Sequence, residues 1–330
     1  MKQTTLIPVV KEVLDDINTP VSAYLKLDQP NSFLLESVIG GDSVARYSFI
    51  GLDPICTFLA EDDTITVTRG DVVEKLTGNP VDILESMVAS FNLKDSDELP
   101  PFVGGAVGFF SWEVIGAVES IKFAQKTGVD FPKSQFIFPR SVLVFDHAER
   151  KVIVVSLAEP GEEQDAAHRI DEIKNMLMKP MQFPIFDKYD LSDVDVFQGV
   201  ESNYEKEDFI SHVEKVKQNI YEGDVFQLVL SQKFSLKSDS HPFDVYRKLR
   251  SINPSPYMYY FNFGDYQIVG SSPEILSRCQ NGRATLRPIA GTRLRTGGDE
   301  TALIEDLKSD EKEKAEHIML VDLGRHDLGR

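Results

Sequence analysis

Asn281-Gly282 is the tightest local constraint in this chain. Asn-Gly is the pair that most readily takes positive φ at both central positions of a type I′ turn, and it stands between two strand-like runs, Tyr266–Cys279 and Arg283–Arg293. A two-residue loop fixes the register: Gln280 faces Arg283 and, counting outward, Glu274 faces Ile289. Pro273 and Pro288 interrupt the ladder there, so the expectation is that Glu274 lies beside Pro288–Thr292, not that the two make an atomic contact.

Elsewhere β-branched and aromatic runs predict strands at Ala23–Leu27, Ser32–Val38, Tyr47–Gly51, Thr64–Thr68 and Phe136–Phe145. Arg150-Lys151 reads as a hairpin turn into a strand at Val152–Ser156. Helical spacing predicts Val9–Ile17, Glu162–Met178 (Ala166, Ile170, Ile173, Met176/Leu177) and Asp208–Glu222 (Ile210, Val213, Val216, Ile220), the last ended by Gly223. Val225–Phe234 reads as a buried strand. Between Lys179 and Asp208 the pattern breaks into Pro180, Pro184 and an acidic run through Asp190, Asp193 and Asp195, as in a surface connection. The expected organisation is therefore 1–180, a linker at 181–205, and 206–330. Long strands with few helices give α+β: large antiparallel β-sheets with outer helices.

Charge narrows the function. There are 53 Asp+Glu against 35 Lys+Arg, a net −18, which opposes binding to nucleic acid or to an anionic membrane. A hydrophobic fraction of 42% excludes global disorder. Cys56 and Cys279 fit neither a disulfide framework nor a zinc site, so a cytoplasmic protein is expected. The N-terminus has no signal-peptide h-region, and the longest apolar stretch, Phe102 to Phe110, is too short and Gly-broken to span a bilayer.

Several residues carry possible chemistry. Ser309–Arg325 reads as a helix capped by Ser309, with Ala315, Ile318 and Met319 on a buried side. Glu313 and Glu316, three apart, share a face and suit a hard divalent cation; alternatively they form a solvated acidic face paired with Lys312 and Lys314. Arg287-Pro-Ile-Ala-Gly-Thr-Arg-Leu-Arg295 offers three arginines, amide donors and a hydroxyl to an anion, or else is an edge strand made soluble by arginine. Glu274 is a lone carboxylate in an apolar run, either a general acid tuned by burial or a solvent-facing residue. Gln227 serves a site or satisfies backbone groups. Gly104-Gly105-Ala-Val-Gly108 lacks the dinucleotide spacing and suggests close backbone packing. Asp322, His326 and Asp327 form no convincing catalytic pattern.

Taken together, Leu34-Leu-Glu-Ser37, Pro101–Gly108, Gly223–Gln232, Asn253-Pro-Ser-Pro-Tyr-Met258, Ser271–Leu276, Arg287–Arg293 and Lys312–Arg330 resemble, in order, the chorismate-utilising enzymes, most closely the anthranilate synthase component I branch. The resemblance implies that Gly291 and Thr292 contact chorismate and that Glu316, with Glu313, carries Mg²⁺. It implies that Glu274 is the general acid for loss of the ring hydroxyl. Glu36 and Ser37, with Pro256, Tyr257 and Met258, match a tryptophan site for feedback inhibition. Gln227 stands where isochorismate and salicylate synthases place a lysine base, and a neutral amide there suits ammonia as nucleophile. Ala290 stands where lysine-bearing aminodeoxychorismate synthases have their covalent nucleophile.

The implied reaction is Mg²⁺-dependent conversion of chorismate and ammonia to anthranilate and pyruvate. Ammonia would come from a glutamine amidotransferase subunit in a hetero-oligomer, and L-tryptophan would inhibit. Two departures stand out: His326 replaces a common asparagine, and the chain ends at Arg330 inside a matching block. That end implies a fragment, catalytically poor alone. The alternatives are an aminodeoxychorismate synthase and a non-catalytic tryptophan-binding fragment.

Overall fold

In a computed structural model, residues 3–38, 46–94, 99–121, 131–186, 195, 197–294 and 300–329 are described. Asp190, Asp193 and Arg295 lie outside them. The chain runs β1 (Thr4–Val13), α1 (Pro20–Leu27), β2 (Ser32–Glu36), β3 (Tyr47–Glu61), β4 (Thr64–Arg69), β5 (Val72–Leu76), α2 (Pro80–Ala89), β6 (Phe91–Leu93) and β7 (Val107–Phe110). A 3₁₀ turn at Trp112–Ala117 leads to β8 (Ser134–Asp146), β9 (Lys151–Ala158) and α3 (Glu163–Met178). Then come β10 (Glu201–Ser202), α4 (Lys206–Glu222), β11 (Phe234–Ser235), α5 (Pro242–Ile252), β12 (Tyr257–Asn262) and β13 (Gln267–Ser272). The last elements are β14 (Arg278–Gln280), β15 (Arg283–Thr285), α6 (Glu300–Ser309) and α7 (Glu311–Leu328).

Met1–Pro180 and Pro242–Arg330 form one compact unit, and Met181–His241 another. In the first unit, eleven strands make one sheet with the path β13-β12-β2-β3-β8-β9-β1-β6, onto which β4, β5 and β7 are added. All its pairs are antiparallel except β1 with β6. The C-terminal segment thus joins the N-terminal sheet, since Met258 pairs with Glu36 across β12 and β2.

β3 and β8 form the spine, and the sheet forks where their register shifts between Pro54 and Cys56. Pro54 faces Pro139 there, and neither can donate a ladder hydrogen bond. Before the shift β3 pairs with β2, and after it with β4. At Phe33↔Gly51 and Tyr259↔Gly270 an aromatic ring lies over a glycine on the neighbouring strand, filling space that a Cβ would claim. The main core packs Tyr24 of α1, Ile170 and Ile173 of α3, and Phe243 and Tyr246 of α5 against Leu34, Ile50 and Tyr260 of the sheet.

Two local expectations are reversed. Val9–Ile17 is not a helix: β1 pairs with β9 from Ile7 to Val13. Its apolar spacing fits a helix, but seven residues of ladder to β9 decide the outcome. Ala23–Leu27 belongs to α1, where Thr19 and Ser22 form a capping box and Pro20 occupies the first turn. The expected turn at Arg150-Lys151 spans 147–150 instead, with Asp146 paired to Lys151 and Arg150 at φ 54°.

Asp146 anchors this corner. Its carboxylate accepts Arg46 Nε (3.1 Å) and Nη2 (2.8 Å) and the amides of Ala148 and Glu149. Burial works against its ionisation, but Arg46 and the amides outweigh that and hold the carboxyl below its usual range. A depressed carboxylate stabilises the fold above its unfolded pKa of about 3.9, and that contribution fades as pH falls through the lower folded value. Asp146→Asn is expected to cost about 1.5 kcal/mol at pH 7, and less as the pH drops toward 3, measured by urea unfolding across pH.

In the second unit, α4 forms as expected and Gly223 ends it at φ 85°. The strand expected at Val225–Phe234 does not form. Only Phe234–Ser235 is extended and paired, with Glu201–Ser202, while Phe226 and Val229 are 83% and 85% exposed. An apolar run becomes a buried strand only where a sheet edge and a covering layer meet it, and the described residues of this unit supply neither.

Candidate functional site

The hairpin expectation holds at the turn. Asn281 (φ 52°) and Gly282 (φ 71°) both sit in the left-handed region, and Gln280 pairs with Arg283 and Arg278 with Thr285. The strands are shorter than the runs suggested: β13 ends at Ser272, before Pro273, and β15 ends at Thr285, before Pro288. Even so, Glu274 Oε1 accepts the amide of Ile289 at 2.9 Å. Glu274 is exposed, so the burial invoked for an acid at this position is absent.

Beyond Ile289 the segment meets α7. A Cβ at Gly291 would overlap the Glu313 carboxylate, standing 2.7 Å from its Cδ, so glycine lets this side chain lie on the backbone. Asp310, not Ser309, caps α7, accepting the amides of Lys312 and Glu313, while Ser309 ends α6. The helix follows the expectation only in part. Met319 is half-buried as expected, but it shares that side with Glu313 and Glu316, whereas Ala315 is exposed and Ile318 is 66% exposed. Glu313 lies against Gly291, with Lys312 Nζ 3.7 Å and Arg293 Nη1 3.9 Å from its Oε1, so part of the expected pairing with lysine is present as well. Glu316 has no hydrogen bond or ion pair among the described residues.

A cavity of about 370 Å³ lies here, lined by Ile289, Ala290, Gly291, Glu313, His317 and Ile318, among others. That is the size of a small-metabolite pocket. Thr292 is exposed beside it. Among the described residues no three His, Cys, Asp or Glu side chains cluster as a metal cage. Two half-buried carboxylates on one helical face nonetheless fit Mg²⁺, which commonly takes one or two carboxylates and completes its shell with substrate and water. Of the arginines expected to hold an anion, Arg293 is engaged by Asp306 and Asp310, while Arg287 lines a separate cavity of about 460 Å³ with Tyr257, Arg278 and Arg283. Gln227 belongs to the second unit and is exposed. Asp322 pairs with Arg325 at 2.8 Å on the helix surface.

A second corner gathers at the end of β2. Beyond the Met258↔Glu36 pair, Val38 donates its amide to Ser255 O at 3.1 Å, which draws Ser37 to the 255–258 segment. The Ser37 hydroxyl is buried with no hydrogen-bond partner among the described residues. Glu36, its side chain 2% exposed, accepts Tyr246 Oη at 2.6 Å and Arg250 Nε at 3.1 Å. Burial pushes the Tyr246 hydroxyl upward, and the Glu36 charge adds to it. Burial also pushes His147 down, while Glu36 and Asp146 pull the other way. Tyr246, Arg250 and His147 are absent from the sequence-level candidates, although Tyr246 and Arg250 stand four apart on one helical face. Tyr246→Phe is expected to cost about 1.5–3 kcal/mol in urea unfolding, because it takes a donor from a buried carboxylate.

Among the described residues no helix is long and apolar enough to cross a membrane. Cys56 and Cys279 are both free thiols, and burial pushes Cys56 up to about 11.

The family profile of chorismate binding enzymes matches residues 31–330. Anthranilate synthase component 1 of Acetivibrio thermocellus is 41% identical over 343 residues, covering 100% of this chain and 69% of the relative. The protein of the same name from Synechocystis sp. is 41% identical, with the same coverage. The crystal structure of anthranilate synthase component I from Streptococcus pneumoniae TIGR4 superposes with a TM-score of 0.70 at 34% identity, covering 96% of this chain and 68% of the other. MenF, the menaquinone-specific isochorismate synthase from Escherichia coli, shares the fold, with a TM-score of 0.61 at 13% identity.

Proposed function

The chain belongs to the chorismate-binding enzymes, among the proteins named anthranilate synthase component 1, and from that premise we propose that it converts chorismate and ammonia to anthranilate and pyruvate. The observation that carries this proposal is the segment 288–292. It meets Glu274 through the Ile289 amide and Glu313 through Gly291, beside a cavity of metabolite size.

In this mechanism the amide and hydroxyl of Thr292 and the bare backbone at Gly291 receive the anionic substrate. Ammonia adds to the ring, Glu274 delivers a proton to the departing hydroxyl, which leaves as water, and elimination of pyruvate then restores aromaticity. Glu313 and Glu316 would hold Mg²⁺, which when bound neutralises the ring carboxylate. Ala290 offers only a methyl group at the cavity, so no covalent intermediate forms there, and this favours anthranilate over the aminodeoxychorismate reaction.

Glu36, Ser37, Pro256, Tyr257 and Met258 form the feedback site for L-tryptophan in the same proposal. Its support is the buried, unpartnered Ser37 hydroxyl, which a bound amino acid would satisfy. A glutamine amidotransferase subunit supplies ammonia, and the complex works in the cytoplasm, in keeping with two free thiols.

The test supplies chorismate, Mg²⁺ and ammonium to the protein in its natural reading frame and identifies the product by mass and fluorescence. Anthranilate that disappears on adding tryptophan supports both halves. A 4-amino product moves the protein to the aminodeoxychorismate branch. Tryptophan binding without turnover leaves a binding module.

A further inference from the structure

We propose that Arg293 is the positioning residue for the Glu313–Glu316 pair, a role that rests on the metal assignment above. Arg293 follows Gly291-Thr292 directly. Its Nη1 donates to Thr292 O at 3.1 Å, its Nε to Asp306 Oδ2 at 2.5 Å, and its Nη2 to Asp310 Oδ2 at 2.8 Å. One guanidinium thus ties the substrate segment to the last turns of α6 and to the cap of α7. Asp310 works on both sides: Oδ1 accepts the Lys312 and Glu313 amides while Oδ2 accepts Arg293. The first turns of α7, which carry both glutamates, are therefore located against Gly291 through this side chain. Farther along, Leu286 packs at Gly324, so the other half of the helix has its own contact with the β15 end of the segment.

Charge and position predict opposite signs. A guanidinium 3.9 Å from Glu313 repels a divalent cation, so on charge alone its removal tightens cation binding. A positioning role predicts that removal weakens binding, because the two carboxylates lose their fixed placement. Lysine keeps the charge but cannot fork to two carboxylates, so Arg293→Lys separates the two explanations.

The experiment titrates Mn²⁺ by electron paramagnetic resonance into the full chain and into Arg293→Gln and Arg293→Lys. Amide hydrogen exchange over residues 311–319 is followed without metal. Mn²⁺ binding about 10- to 100-fold weaker in both variants is expected, with faster exchange in the same segment. Unchanged or tighter Mn²⁺ binding in Arg293→Gln overturns the proposal, and so does unchanged exchange. If the unsubstituted chain takes up no Mn²⁺, the metal assignment fails by itself. Exchange then decides the placement of α7: faster exchange upholds the clamp and unchanged exchange overturns it.

Discussion

Glu274→Gln is expected to lower chorismate turnover by about a hundred- to ten-thousand-fold with no loss of stability. Glutamine keeps an oxygen acceptor for the Ile289 amide, now 2.9 Å from Glu274 Oε1, so the segment 288–292 keeps its place and the chorismate KM changes little. What it lacks is a carboxyl proton for the departing hydroxyl. Glu274→Ala removes the acceptor as well and should also raise KM, because the exposed segment loses a tether. Steady-state kinetics with added ammonium, alongside thermal unfolding, separates the two effects. Turnover of Glu274→Gln within threefold of the unsubstituted protein would end its assignment as the acid.

Gly108→Ala is expected to destabilise the first unit by about 3–5 kcal/mol. Gly108 pairs with Phe136 across β7 and β8, and a Cβ there would overlap the Gln135 carbonyl oxygen and stand 2.7 Å from Phe136 Cα. Both obstacles are backbone of the spine strand, so no side-chain rotation relieves them. The strands must separate, and Phe109 and Phe110 then lose their ring contacts with Phe263 and Phe136. Urea unfolding reads the effect, and a loss below about 1 kcal/mol would mean that β7 slides past β8 without penalty.

Features that local chemistry decides could be read from sequence. The Asn281-Gly282 turn, the α3 stripe and the Gly223 stop need no distant partner. The packing of Gly104 and Gly108 was legible because no phosphate-binding spacing competed with it. β1 and α1 went astray because Val9–Ile17 carries a helical period and Ala23–Leu27 an alternating one, while pairing with β9 and the Thr19–Ser22 cap outweighed those patterns. The spacing of Glu313 and Glu316 was legible, but the side they face was not. Hydrophobicity favoured Ala315, Ile318 and Met319; Met319 does share the half-buried side, while Gly291 and Arg293, some twenty positions earlier, stand against Glu313 in place of Ala315 and Ile318. The Glu36 network was hidden for the same reason, since its partners come from a helix that sequence places far away.

That separation matters during synthesis. Tyr246 follows Glu36 by 210 residues, and β12, which covers the edge of β2, is made later still. At about 5–20 residues per second, the ribosome takes roughly 10–40 s to supply the missing strand. Throughout that interval Phe33 and Leu34 stand at an open edge able to pair with another nascent chain. The corner assigned to tryptophan therefore waits longest between the making of its first strand and its closure, while the Glu274–Ile289 contact, fifteen residues apart, closes almost as soon as it is made.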